Sequence, residues 1–217
     1  MKKALVFYGG WDGHHPAEMS ARLADMLKSC GFAVDRVEGT DCLADGDKLR
    51  TYDLIVPCVT MGQVPWAYVT NVCNAVAAGT GLAGCHGGMG DAFRDNTDWQ
   101  FLTGGQFVAH PGGEDTTYTV RMLPSPITDG IADFEIRSEQ YYLHVDPAVT
   151  PVAMTRVEPG FPAPDKAVDM PAAWTRKWGK GRVFYCSVGH TEAELDKYPA
   201  FAALIERGML WTAGELA

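Results

Sequence analysis

Apolar runs and amphipathic stretches alternate along the first half of the chain. Four short runs predict β-strands, and they cover residues 3–8, 32–37, 52–59 and 81–85. After the first run, apolar side chains recur at helical spacing from Pro16, and Gly31 is typical of the residue that ends a helix. A second helix is predicted at about 65–78. Strands that alternate with helices predict a parallel sheet.

The second half of the chain is less regular. Residues 99–113 are predicted to be a surface excursion, and residues 158–171 a proline-rich loop. Further strands are predicted at 117–123, 149–157 and 181–188, and the two tryptophans at 174 and 178 are expected on a hairpin surface. Thr191 is expected to cap a closing helix, with Glu194 in the capping-box position. No linker or repeat divides the sequence, so we expect a single domain over 1–217.

The composition and net charge of the chain limit the kinds of molecule that it can bind. Hydrophobic residues make up 47% of the 217 residues and charged residues 21%, which is ordinary for a globular protein. The formal net charge of −9 leaves no basic face that could neutralise a phosphate backbone. We therefore expect no nucleic-acid and no membrane partner, and a small neutral substrate suits the chain better.

The cysteines indicate a reducing compartment. Six of them lie far apart, with no Cys-x-x-Cys pair, in a chain large enough to fold without disulfides. We expect a cytoplasmic location and free thiols, four of them buried: Cys30, Cys58, Cys73 and Cys186. The first apolar run ends at Gly9 without a cleavage-site pattern, so it is predicted to be a strand and not a leader.

Residues 81–93 carry the most distinctive local pattern. The segment Gly84-Cys85-His86-Gly87-Gly88 fits Gly-x-Nuc-x-Gly, in which glycines allow a strained strand-to-helix turn at the carboxyl edge of a sheet. His86 has the central position, so we expect its side chain to be exposed at that edge. Cys85 should point into the sheet interior or towards a helix. The thiol and the imidazole both remain candidates for chemistry.

Familiar cofactor motifs are missing or misplaced. Residues 79–84 match Gly-x-Gly-x-x-Gly, but they follow a predicted helix and precede a strand, whereas a dinucleotide fingerprint follows a strand. The sequence contains no P-loop, no His-Glu-x-x-His and no paired-cysteine zinc motif. No cofactor is therefore required, although several histidines near one edge are compatible with a divalent metal.

Histidines follow several of the predicted strands. His14 comes after the first strand, His86 is at the elbow, and His190 follows the last strand, so all three should meet at the carboxyl ends of the parallel strands. Residues 138–146 add an acid, a base and two tyrosines, which suit either a polar strand face or a sugar pocket. Each histidine also has a simpler alternative as a loop or cap residue.

Six short motifs, in order, resemble the ThuA-like, trehalose-utilisation family. They are Gly-Gly-Trp-Asp-Gly-His-His-Pro after the first strand, Gly-Cys-His-Gly-Gly at the elbow, and the segments 104–111, 126–134, 138–142 and 179–190. The resemblance spans nearly the whole chain. It implies a three-layer α/β/α, flavodoxin-like fold of the class I glutamine amidotransferase-like type with a mostly parallel sheet. It also implies a role in bacterial disaccharide or keto-sugar catabolism.

The resemblance favours chemistry at histidine, because the family typically has histidine at the elbow and Cys85 is not the matching position. We expect acid/base chemistry on a sugar or oxidised sugar at a histidine-rich pocket. The catalytic candidates are His86, Glu139 and His144. The substrate-binding candidates are Trp11, His14, Asp91, His110, Tyr141 and His190. A Cys85-dependent amidotransferase or hydrolase and a sugar-binding module without turnover stay open as alternatives, and a homo-oligomer is compatible with the sequence.

Overall fold

Strands and helices alternate through the first half of the chain, as the apolar pattern predicts. The computed structural model describes residues 1–160 and 162–216. The strands of this half are β1 (Lys3–Gly10), β2 (Ala33–Glu38), β3 (Leu54–Thr60) and β4 (Gly81–Cys85). The helices are α1 (Pro16–Ser29), α2 (Gly46–Leu49), α3 (Trp66–Ala78) and α4 (His86–Gly90). The predicted strands and both predicted helices are all present.

The second half contains more regular structure than the sequence indicates. It comprises α5 (Thr97–Thr103), β5 (Gly105–Ala109), β6 (Thr117–Met122), β7 (Phe134–Arg137), β8 (Tyr142–Val145), β9 (Thr150–Val157), β10 (Val168–Trp178), β11 (Gly181–Cys186), α6 (Ala193–Lys197) and α7 (Pro199–Thr212). The prediction of a surface excursion at 99–113 is wrong, because Trp99 of α5 is buried and its indole donates to the Met89 carbonyl at 3.0 Å. Among the described helices, none has the length and apolar character needed to cross a membrane.

The central sheet is mixed. Among the described residues, nine strands form it in the order β2-β1-β3-β4-β11-β10-β9-β6-β7, and β5 pairs with β8 separately. The five strands from β2 to β11 are parallel, whereas the other neighbours in the sheet pair antiparallel. The α/β prediction is confirmed, but a mostly parallel sheet is not. The tight connection between β10 and β11 explains part of this difference, because a short hairpin joins antiparallel neighbours.

The parallel strands contribute side chains to two hydrophobic cores. In β1, Ala4 and Val6 belong to one core together with α1 and α7, whereas Leu5 and Phe7 belong to the other together with α3. This division follows from the alternation of side chains along a strand. Each large apolar side chain that is buried contributes about 1.5–3 kcal/mol. Helices on both faces thus hold the parallel strands in place, and the loops at their carboxyl ends carry the candidate site.

Strand β10 includes residues that were expected in a loop, and one of its tryptophans is buried. The loop expected at 158–171 ends before Val168, and Pro171 lies within the strand where its register with β9 shifts. A proline has no N–H to donate to the ladder, so a bulge accommodates it. Trp174 is only 1% exposed, and its indole donates to the Thr103 carbonyl at 2.9 Å. The expectation of a surface tryptophan at this position is therefore wrong.

The segment after β11 departs from the predicted capping box. Helix α6 begins at Ala193, its N-cap residue is Glu192, and the cap makes no side-chain hydrogen bond. The Glu194 carboxylate instead accepts a hydrogen bond from the backbone N–H of His190 at 3.0 Å. The Glu194 side chain thus points back towards the start of α6, as a capping box requires, but its hydrogen bond is to His190 and not to Thr191.

All six cysteines are free thiols. Cys58 and Cys186 are buried, as expected, whereas Cys30 and Cys73 are partly exposed. The expectation of full burial fails for these two because Cys30 caps the end of α1 and Cys73, on α3, packs only partly against the core.

Candidate functional site

The predicted elbow is present, and His86 is strained within it. His86 follows β4 directly and has a φ of 47°, in the left-handed region that few residues other than glycine adopt. A Cβ on Gly87 would lie 2.4 Å from His14 Nδ1, and a Cβ on Gly88 would lie 3.1 Å from the Cα of Cys58. Side chains at these two positions would therefore push the surrounding elements apart. The Tyr185 hydroxyl donates to the His86 carbonyl at 3.1 Å and anchors the turn.

The His86 ring lies at the sheet edge but is covered. It is only 2% exposed, so the expectation of an exposed side chain is wrong. The ring of Tyr141 stacks on it with centroids 3.9 Å apart, and Phe107 lies against Tyr141 at 4.4 Å. Trp11, which is half-exposed, contacts His14 edge-on at 4.8 Å. Aromatic rings thus cover much of the elbow.

Glu139 is the group on which the histidines converge. It lies between β7 and β8, is buried, and its carbonyl accepts a hydrogen bond from the Tyr118 hydroxyl at 3.0 Å. Burial alone would raise the pKa of its carboxyl. Interactions with His14 and His86, together with the charge of His190, outweigh burial and hold the pKa of Glu139 well below its usual range. We therefore describe Glu139 as a carboxylate that the surrounding rings stabilise.

Four histidines present the same nitrogen to this carboxylate. His86 Nε2 is 3.1 Å from Oε2 and His14 Nε2 is 3.8 Å from Oε2, whereas His110 Nε2 and His190 Nε2 are 3.7 and 3.9 Å from Oε1. The rings of His14 and His190 lie 5.2 Å apart between centroids, and His86 lies 4.7 Å from His14. The structure thus brings together the three histidines that follow strands β1, β4 and β11, and adds His110.

The outward nitrogens have polar partners of their own. His86 Nδ1 is 2.8 Å from the Ser187 carbonyl and His14 Nδ1 is 2.8 Å from the Thr60 hydroxyl. A carbonyl only accepts, so His86 must donate from Nδ1. Thr60 and Ser187 were not among the predicted site residues. The position of Thr60 at the end of β3 is a usable signal, but a backbone carbonyl such as that of Ser187 leaves no trace in the side-chain pattern.

Burial and hydrogen bonding act in opposite directions on the protonation of the pair formed by His86 and Glu139. Burial lowers the pKa of His86 to about 4, and the hydrogen bond to the Glu139 carboxylate opposes this effect. A neutral ring that donates from Nδ1 would place the Nε2 lone pair against Oε2 at 3.1 Å. That contact is favourable only if a further proton lies between the two atoms. We therefore assign this proton to the pair as a unit and not to one partner.

The remaining predicted residues lie at different depths. His190 is partly buried, which lowers its pKa, and His110 is 43% exposed, so these two rings form the outer side of the cluster. Asp91 is buried beside the cluster, where Arg94 donates to both of its oxygens at 2.7 Å. His144 is not brought to Glu139, because it lies exposed on β8 beside a separate surface pocket.

Cys85 lies next to the site, where it lines the small cavity shared with His14 and His86, but it is buried. It is buried in the same core as Ala83 and Phe201, as expected for a side chain adjacent to the elbow position. Burial raises the pKa of its thiol to about 12. A thiolate nucleophile needs exposure and a positive neighbour, so this environment is unsuitable for one.

The cluster has the components for acid/base chemistry and for metal binding. A buried carboxylate with four imidazoles offers proton donors and acceptors within a few ångströms of one another. His14, Glu139 and His190 each present one ligand atom, and these atoms lie within 4.8 Å of one another. The arrangement defines an α/β protein with a histidine and glutamate centre at the carboxyl ends of its parallel strands.

Comparison with known proteins places the chain in a family. The family model described as ThuA, trehalose utilisation, matches residues 3–212, and the chain belongs to this family. No curated protein matches the sequence.

Solved structures share the fold at low sequence identity. A ThuA-like protein from Parabacteroides merdae ATCC 43184 has a TM-score of 0.78 and 17% identity, over 100% of this chain and 91% of that one. A ThuA-like protein from Bacteroides uniformis ATCC 8492 has a TM-score of 0.73 and 20% identity, over 97% and 91%. A cytoplasmic protein from Salmonella typhimurium LT2 has a TM-score of 0.67 and 13% identity, over 95% and 99%. These similarities establish the fold, whereas the chemistry has to be inferred from the residues of the site.

Proposed function

We propose that this protein is an enzyme that carries out acid/base chemistry on a disaccharide or keto-sugar, with Glu139 and His86 as the proton-transferring pair. The observation that carries the proposal is the convergence of four histidine Nε2 atoms on one buried carboxylate. The burial of polar groups costs free energy unless they are satisfied. A buried cluster of titratable groups therefore indicates a functional site. The family description, trehalose utilisation, supports a sugar as the substrate.

The two oxygens of Glu139 have different environments. Oε2 contacts His86 at 3.1 Å, deep in the site, whereas Oε1 faces His110 and His190 on the outer side. Proton transfer to or from a substrate would therefore pass through Oε1. For a keto-sugar, Oε1 would accept a proton from the carbon beside the carbonyl, and His190 or His110 would donate to the carbonyl oxygen as the enol forms.

The space around the cluster supports an approach from the outer side. The cavity between His14 and His86 has a volume of about 10 Å³, which is room for about one water molecule. An open pocket of about 620 Å³ is lined by Pro111 and Gln140, the neighbours in sequence of His110 and Glu139, and by no member of the cluster itself. This volume is within the range of small-molecule sites, roughly 300–1,000 Å³. We propose that the sugar binds in this pocket with its reacting end directed past His110, which is 43% exposed, towards Oε1.

Two alternative functions make different demands on the protein. A Cys85-dependent amidotransferase or hydrolase would need a reactive thiol, and the buried thiol with a pKa of about 12 argues against it. A sugar-binding module would use the same pocket without proton transfer. Ammonia release from glutamine would indicate the first alternative, and calorimetric sugar binding without turnover would indicate the second.

The test is turnover of disaccharides and their keto derivatives by the wild type and by Glu139→Gln. The amide keeps the size of the side chain but cannot accept a proton, so we expect a loss of about 10²–10⁴-fold in turnover. Glu215→Gln is the matched control, because Glu215 is exposed and pairs with Lys2 at 3.0 Å, outside the described cluster. Equal turnover in Glu139→Gln and the wild type would contradict the proposal.

We also propose the finer fold assignment and the location that the sequence favours. The strand order β2-β1-β3-β4-β11 agrees with the flavodoxin-like order, and helices from two cores cover the parallel strands, which supports a three-layer class I glutamine amidotransferase-like fold. Six free cysteines support a cytoplasmic location.

A further inference from the structure

The spacing of the outer histidines around Glu139 is unusual for a hydrogen-bond network. His14, His110 and His190 present Nε2 to the carboxylate at 3.7–3.9 Å. These separations exceed the usual hydrogen-bond length. Ligand atoms of a tetrahedral zinc ion, each bound at 2.0–2.1 Å, lie roughly 3.4 Å apart. The distances exceed those of hydrogen-bond partners and are closer to the spacing of atoms that share an ion. His14 and His190 face different oxygens of Glu139, and one ligand atom from each of the three residues lies within 4.8 Å of the other two.

The outward nitrogens support the same interpretation. Histidines that bind metals usually donate their other ring N–H to a polar group, which fixes the tautomer and the orientation of the ring. His14 Nδ1 is 2.8 Å from the buried Thr60 hydroxyl, which leaves Nε2 facing Glu139. His190 Nδ1 faces the Glu114 carboxylate at 4.0 Å. Both rings thus direct Nε2 inward, and only His14 has a hydrogen-bonded outer partner, because 4.0 Å is too long for a hydrogen bond from His190 to Glu114.

We propose that His14, Glu139 and His190 bind one divalent transition-metal ion. Two imidazoles and one carboxylate are a ligand set of catalytic zinc sites, and they also suit manganese and iron(II). Three protein ligands leave a position for water or substrate, on the side where His110 is exposed. An ion there would polarise a sugar oxygen. The inference goes beyond the proposed function, because it concerns binding of the ion and not turnover.

The experiment is a calorimetric titration of chelator-treated protein, produced without an affinity tag, with Zn²⁺ and separately with Mn²⁺. The wild type should bind one ion of at least one of these metals per chain. His14→Ala and His190→Ala should each weaken binding by at least about 100-fold, and Thr60→Val, which removes only the outer partner of His14, by about 10–100-fold. His144→Ala is the control for a lost imidazole, since His144 is exposed on β8, and it should bind like the wild type.

Thermal melts of the metal-free proteins show whether each variant folds. If a histidine variant does not fold, Thr60→Val tests the metal site in its place. The metal that binds should raise the Tm of the wild type by mass action and leave that of folded His190→Ala nearly unchanged. No binding of either ion to the wild type, or an affinity in both histidine variants equal to that of the wild type, would overturn the proposal. Sugar turnover without metal binding would overturn the metal site and leave the proposed function standing. Metal binding without sugar turnover would support the metal site and overturn the proposed function.

Discussion

Replacement of His86 by asparagine should separate its chemistry from its structural role. His86 has a φ of 47°, which asparagine tolerates better than most residues do. The asparagine amide can still donate to the Ser187 carbonyl in place of Nδ1. It is too short to replace Nε2, which is 3.1 Å from Glu139 Oε2. The variant therefore removes the proton-sharing contact and leaves the elbow otherwise supported.

The size of each effect follows from these contacts. Loss of a hydrogen bond to a charged group costs about 1.5–3 kcal/mol, and the smaller backbone strain of asparagine offsets part of it. A net loss of about 2 kcal/mol in a chain of this length lowers the Tm by about 4–8 °C. Turnover should fall by about 10²–10⁴-fold, which corresponds to about 3–5 kcal/mol of transition-state stabilisation.

The assay compares sugar turnover and thermal melts of His86→Asn with those of Cys85→Ala. The cysteine is adjacent in sequence and equally buried, but its side chain packs in the core. Its replacement should lower the Tm by removing packing and should leave turnover nearly at the wild-type level. If Cys85→Ala abolishes turnover and His86→Asn retains it, the assignment of proton transfer to the imidazole is wrong and a thiol mechanism replaces it.

Two further predictions concern protons. In ¹⁵N-labelled protein, NMR of the His86 ring should show a proton at Nδ1, because that atom donates to the Ser187 carbonyl, and a ring protonated at Nε2 alone would contradict the assignment. Burial raises the pKa of Glu194 from 4.5 to about 7, so between these pH values the folded protein keeps a proton that the unfolded chain releases, and stability falls as the pH rises. The free energy of unfolding of Glu194→Gln, measured with urea, should therefore rise by up to about 3 kcal/mol relative to that of the wild type between pH 4.5 and 7.5. A difference between the two proteins that stays constant over this pH range would refute the prediction.

The parallel half of the fold could be predicted from the sequence because its signals are local. Buried runs such as 52–59 and the amphipathic stretch after Pro16 each determine one element. The antiparallel half could not, because the course of β10 depends on long-range pairing. Pro171 and the proline-rich stretch before it resemble a loop, yet pairing with β9 and burial of Trp174 make Pro171 part of a strand. Tertiary packing there overrides local preference.

The candidate site was partly predictable for a related reason. Histidines that follow parallel strands must meet at one sheet edge, so His14, His86 and His190 could be grouped from the sequence. His144 could not be separated from Glu139 in this way, because the two are only five residues apart. A side chain on β8 and a side chain in the loop before it face different surroundings, and only the pairing of β8 with β5 reveals this.

The two proposals give Oε1 of Glu139 different roles, proton acceptor in one and metal ligand in the other, and that oxygen can have only one of these roles at a time. Oε2 is held by His86 at 3.1 Å, whereas Oε1 is 3.9 Å from His190 Nε2 and free to approach an ion. A carboxylate that is fixed by a hydrogen bond on one oxygen is oriented for ligation through the other. Loss of His86 should therefore weaken metal binding only indirectly, through disorder of Glu139, whereas loss of His190 removes a ligand. A larger effect on metal affinity from His190→Ala than from His86→Asn would agree with this division of roles.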